Sequence, residues 1–79
     1  MDLTDLHRLL LARGRSGDLW IEGLSTGGRL GGYELHRGPG GSWTLCYYER
    51  GTLDVVLAGL TETGAVSAAV DVLEGRPLG

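Results

Sequence analysis

The chain has 79 residues, a formal charge of −3 and no lysine, so seven arginines carry all of its fixed positive charge. That length allows one domain, residues 1–79, and a single cysteine, Cys46, excludes a disulfide framework. The arginines run from Arg8 to Arg76 without clustering, which excludes the basic stripe a nucleic-acid binder needs to displace counterions.

An acidic balance suits a basic protein partner, because opposite net charge speeds encounter. The opening Met1-Asp2-Leu3-Thr4-Asp5 is acidic where a secretory signal is basic, and no run approaches the ~20 apolar residues of a membrane span. The expectation is a cytoplasmic protein with no membrane partner. Phenylalanine, asparagine and glutamine are missing as well as lysine, the pattern of a GC-rich bacterial genome. A chain this short buries only roughly 60–65% of its unfolded surface, so a homodimer or docking on a partner would add stability.

In chain order, residues 3–13 read as a helix. Leu6, Leu9, Leu10 and Arg13 share one face, Thr4 is the expected N-cap, and Gly14 is the stop. Residues 18–24 read as a strand, with Leu19, Ile21 and Gly23 on one face and Trp20, Glu22 and Leu24 on the other. The glycine-rich stretch 25–32 reads as a loop anchored by Leu30. Residues 33–37 alternate as a second strand, and Gly38-Pro39-Gly40-Gly41 makes a turn.

The next strand begins at Trp43 and carries three of the five aromatic residues, with Trp43, Leu45 and Tyr47 opposite Thr44, Cys46 and Tyr48. Gly51-Thr52 is expected as a type II′ hairpin turn into a fourth strand over 53–60. Residues 62–74 read as a helix capped by Thr61 or Thr63, with Val66, Ala69, Val70 and Leu73 as its apolar stripe. Gly75 and Pro77 stop it. The expected architecture is α+β: an N-terminal helix, a three- to four-stranded antiparallel meander, and a C-terminal helix, with both helices on one face.

Residues with the chemistry for catalysis are thinly spread. His7 and His36 lack a second histidine or cysteine at ligand spacing, so no metal is expected. A nucleophilic pair would need Cys46 beside His36, but a mid-strand cysteine lacks a helix N-terminus to lower its pKa. Gly27-Gly28-Arg29-Leu30-Gly31-Gly32 precedes a strand, whereas a phosphate cradle needs a helix N-terminus. Glu34 and Glu49 read as solvated strand residues paired with Arg37 or Arg50. Neither a catalytic residue nor a cofactor is expected.

Aromatic and arginine residues are the usual anchors of protein interfaces, and the aromatic strand ends on Tyr48-Glu49-Arg50-Gly51. With Thr61-Glu62 and Ala65, that run resembles small actinobacterial proteins that share an aromatic strand ending Tyr-Glu-Arg-Gly and a Thr/Ser-Glu-x-x-Ala helix start. Many of these look like immunity proteins of secreted polymorphic toxins. The similarity covers about the last half of the chain, and Gly64 departs from an acidic residue common at its position. The resemblance implies stoichiometric binding of a basic cognate toxin domain. The candidate contacts are Trp20, Glu22, Tyr33, Glu34, Tyr48, Glu49, Arg50 and Asp54. The alternative is a structural homodimerisation or assembly module without a toxin partner.

Overall fold

A computed structural model describes residues 1–26 and 31–78. The element order is α1 (Leu3–Ala12), β1 (Leu19–Ile21), β2 (Gly32–Arg37), β3 (Trp43–Glu49), β4 (Thr52–Leu60) and α2 (Glu62–Leu73). The expected α+β architecture is therefore present. Part of the glycine-rich loop, residues 27–30 with its Leu30 anchor, lies outside the described residues.

Helix α1 starts one cap earlier than Thr4 suggested. Asp2 Oδ1 accepts from the Asp5 N–H (2.8 Å) while Asp5 Oδ2 accepts from the Asp2 N–H (3.2 Å). This reciprocal box satisfies two of the orphan donors that every helix start leaves. A third, the Leu3 N–H, donates to Glu62 Oε2 at 3.0 Å, which ties the start of α1 to the first turn of α2. Thr61 caps α2, its Oγ1 accepting from the Gly64 N–H at 3.0 Å. A Cβ on residue 64 would approach that Oγ1 to 3.2 Å, so glycine suits the tight cap.

The four strands form one sheet in the order β1-β2-β3-β4. The meander expectation needs correcting at its first pair: β1 runs parallel to β2, and only the later pairs are antiparallel. The strand expected over 18–24 stops at Ile21, because Gly23 (φ 85°) turns the chain and the Leu24 and Ser25 N–H groups both donate to the Ile21 carbonyl. With one parallel and two antiparallel pairs, the sheet is mixed.

The hairpin also differs from its expected form. Its two-residue loop is Arg50-Gly51, with φ of 51° and 80°, the signature of a type I′ turn and not a type II′ turn at Gly51-Thr52. Arg50 is the sole non-glycine at positive φ among the described residues.

One face of the sheet carries the core. Leu19, Ile21, Leu35 and Leu45 pack beneath Leu3, Leu6 and Leu10 of α1 and Ala65, Val66, Ala68 and Ala69 of α2. Trp43, Tyr33, Leu57, Leu60, Val70 and Leu73 pack around that centre. The folded chain exposes 4824 Å²; at about 1.45 Å² per dalton unfolded, an 8.4 kDa chain hides roughly 60% of its surface.

Replacing Arg50 with Asn, which tolerates positive φ, should stabilise the protein by about 1 kcal/mol. In a chain of this size that is a rise in Tm of roughly 4–8 °C. Thermal unfolding followed by circular dichroism reads it, and an unchanged Tm would mean the turn holds Arg50 without strain.

Candidate functional site

Strand alternation sends Trp20, Glu34, His36, Thr44, Cys46 and Tyr48 to the face turned away from the helices. That face is not simply wet. Glu34 is only 2% exposed and Cys46 only 3%. In the register Glu34 lies between Trp20 on β1 and Cys46 on β3. The expectation that Glu34 is a solvated residue paired with Arg37 is thus overturned.

A buried carboxylate needs partners. His36 Nε2 and Glu34 Oε1 share a hydrogen bond of 2.7 Å, in which the imidazole N–H donates when Glu34 is a carboxylate. On the other side of the ring, Nδ1 is 3.6 Å from Glu22 Oε1. The indole of Trp20 lies against the imidazole, with ring centroids 5.0 Å apart and a 37° tilt. Glu22 is more open: it accepts a long bond from the Arg37 N–H (3.4 Å) and sits 3.9 Å from Arg37 Nε. Sequence reasoning gave His36 no role, yet it is the centre of this cluster. The i, i+2 spacing of Glu34 and His36 on one strand was the available signal.

Cys46 and His36 do reach neighbouring strands, as a nucleophilic pair would require. Their direct opposites are other residues, however: Cys46 faces Glu34 and His36 faces Thr44. Among the described residues no three His, Cys, Asp or Glu side chains are grouped to hold a metal ion.

Beside the cluster is a cleft of about 300 Å³, lined by His7 and Leu11 of α1, Ser16 and Gly17, Trp20, Ser25, Thr26, Gly31, Tyr33 and Glu34. Its aromatic walls and hydroxyl groups are suited to hold a side chain or small polar group. His7 of α1 is half-buried at its rim.

The remaining candidates converge at one end of the sheet. Tyr33, Tyr47 and Asp54 lie in one row across β2, β3 and β4, followed by Tyr48 opposite Leu53 and Glu49 opposite Thr52. Tyr33 and Tyr47 meet edge to face, with centroids 5.0 Å apart. Tyr48 is half-buried, while Glu49, Arg50 and Asp54 are exposed and form no ion pair among the described residues. The pairing of Glu49 with Arg50 or Arg37 is therefore not found. Glu22 does not join this end, since it leaves β1 beside His36 and Arg37 at the opposite end.

Around the hairpin the exposed apolar residues are Tyr47 (36%), Leu53 (40%), Val55 (66%) and Val56 (36%). Leu53 and Val55 lie on the face turned away from the helices and Tyr47 on the helix side, so the hairpin end presents apolar side chains on both faces, beside three charges with no ion pair among the described residues. Comparison with known proteins finds no matching family model, no matching curated protein and no matching solved structure.

His36→Ala should destabilise the protein by about 1.5–3 kcal/mol, because it removes a charge-assisted bond to a buried carboxylate. Glu22→Ala, at a contact longer and better solvated, should stay within about 0.5 kcal/mol. Urea unfolding midpoints of the two variants test this ranking, and equal losses would contradict it.

Proposed function

We propose that this chain is a stoichiometric binding protein, an immunity protein or antitoxin that neutralises a cognate bacterial toxin by occluding its active site. The observation that carries the reading is the hairpin end of the sheet. There Leu53 and Val55 are exposed on one face and Tyr47 on the other, beside Glu49, Arg50 and Asp54, which have no ion pair among the described residues. Aromatic and arginine anchors with exposed apolar neighbours are what protein interfaces select.

Within this reading the contacts are Tyr33, Tyr48, Glu49, Arg50 and Asp54 at the hairpin end. Trp20 and Glu34 line the cleft next to it, and Glu22 is peripheral. Acidic overall charge favours a basic toxin domain, acting with this protein in the cytoplasm. Arg50 supports the reading by its cost: a strained residue persists where it serves a contact.

The homodimer module remains the second reading. The alanines of α2 offer it no surface, because Ala65, Ala68 and Ala69 are 0%, 6% and 0% exposed.

Coexpression with a cognate toxin, sought among the neighbouring genes, should give a 1:1 complex and protected cells, and cells left unprotected would end the proposal. Arg50→Ala should weaken the complex at least about tenfold, or about 1.4 kcal/mol, in a titration of purified proteins.

A further inference from the structure

The two edges of the sheet are finished differently. At the β1 edge only three residues are in strand, and the outward N–H of Ile21 donates to Ser25 Oγ at 2.8 Å. That side chain occupies the position a further strand would take. The β4 edge runs for nine residues, seven of them exposed.

The hairpin loop sets which β4 groups face outward. Glu49 and Thr52 flank a two-residue loop, so they exchange both of their hydrogen bonds, and Tyr47 with Asp54 repeats the pattern. Leu53 and Val55, at the intervening positions, therefore turn N–H and C=O away from β3. Their side chains are 40% and 66% exposed on the face away from the helices. Between them Asp54 is exposed and has no ion pair among the described residues. Such an edge is a template for an added strand.

A second copy of this chain fits the template poorly. The register shifts after Val55, where Leu45 pairs with Leu57, so the regular edge spans Thr52 to Val55. Two such edges paired about a two-fold axis engage every outward group only with Leu53 bonded to Val55 in each direction; other registers engage one residue of each edge and half the bonds. The full register sets Asp54 directly against its own copy, and like charges in that position repel. A bulge beyond Val55 also twists the edge away from longer self-pairing.

We infer that the β4 edge between Thr52 and Val55 takes an antiparallel extended segment of a different protein, with a lysine or arginine opposite Asp54 and apolar residues on either side. The main-chain bonds of Leu53 and Val55 hold the segment, and Asp54 selects its charge. This deepens the binding-protein reading by naming how a basic partner is gripped, while the edge geometry stands apart from the identity of that partner.

The test uses the whole 15N-labelled protein with two blocked peptides, acetyl-TVRVT-amide and acetyl-TVDVT-amide. The arginine peptide should shift the Leu53 and Val55 amide signals and bind at least about tenfold more tightly than its aspartate twin. Val55→Pro removes an outward donor and no bond to β3, which edge strands tolerate, and it should abolish that binding. Asp54→Lys should invert the peptide preference, providing a second variant should the proline unfold the chain. Unmoved Leu53 and Val55 signals at millimolar peptide, equal binding of both peptides, or self-association through these amides would each overturn the inference. A toxin complex that survives Val55→Pro overturns the strand mode alone. Peptide binding without toxin protection overturns the toxin reading alone.

Discussion

The structure depends on a single apolar layer. Leu35 and Leu45 are fully buried between two helices and a sheet four strands wide. A layer of this size holds only if the helices lie close and in one fixed relation. Alanines at 65, 68 and 69 permit the first, since small side chains bring α2 down onto the strands. The bond from the Leu3 N–H to Glu62 provides the second, because it joins the starts of two helices separated by most of the chain. Thr61 and Glu62 thus have structural work, one capping α2 and the other holding α1.

A sheet covered on one side leaves its other face to be managed by polar chemistry. Here a buried glutamate, a histidine bonded to it and a tryptophan against the histidine take that position. Buried polar networks are stable when their members are satisfied and are sensitive to the loss of any one. The hairpin end shows the opposite economy. Its charges lack ion pairs among the described residues, its apolar side chains face solvent, and Arg50 adopts a backbone conformation better suited to asparagine or glycine. Stability would favour changing that end, and the proposed binding role is one reason for it to keep this composition.

Much of the fold was readable residue by residue. Leu6, Leu9 and Leu10 follow helical spacing and β3 alternates with period two, so periodicity locates both elements, although the buried face is Leu3, Leu6 and Leu10 and Arg13 is exposed. The N-cap was missed by two residues because Asp2 and Thr4 are both good caps, and only the reciprocal bond with Asp5 separates them. The turn was misplaced by one residue because Gly51 suits either turn type, while arginine at positive φ is rare enough that sequence reasoning avoids it. Of the candidate site, the run from Tyr48 to Arg50 was visible as a charged strand end. The i, i+2 spacing puts His36 on one strand face with Glu34, but the burial of Glu34 that gives their contact its weight is not written locally.

The sequence by itself determined the local elements: two amphipathic helices, a strong aromatic strand, its hairpin partner, and an acidic balance without a basic stripe. Tertiary structure decided the rest. It set β1 parallel to β2, buried Glu34, drew Tyr33 and Asp54 into one row with Tyr47, and left β4 as the long open edge. The reason lies in the range of the forces involved. Periodicity and capping act within a few residues and are written locally. Strand order, burial and edge exposure depend on which distant segments meet, and that is settled only when the whole core closes.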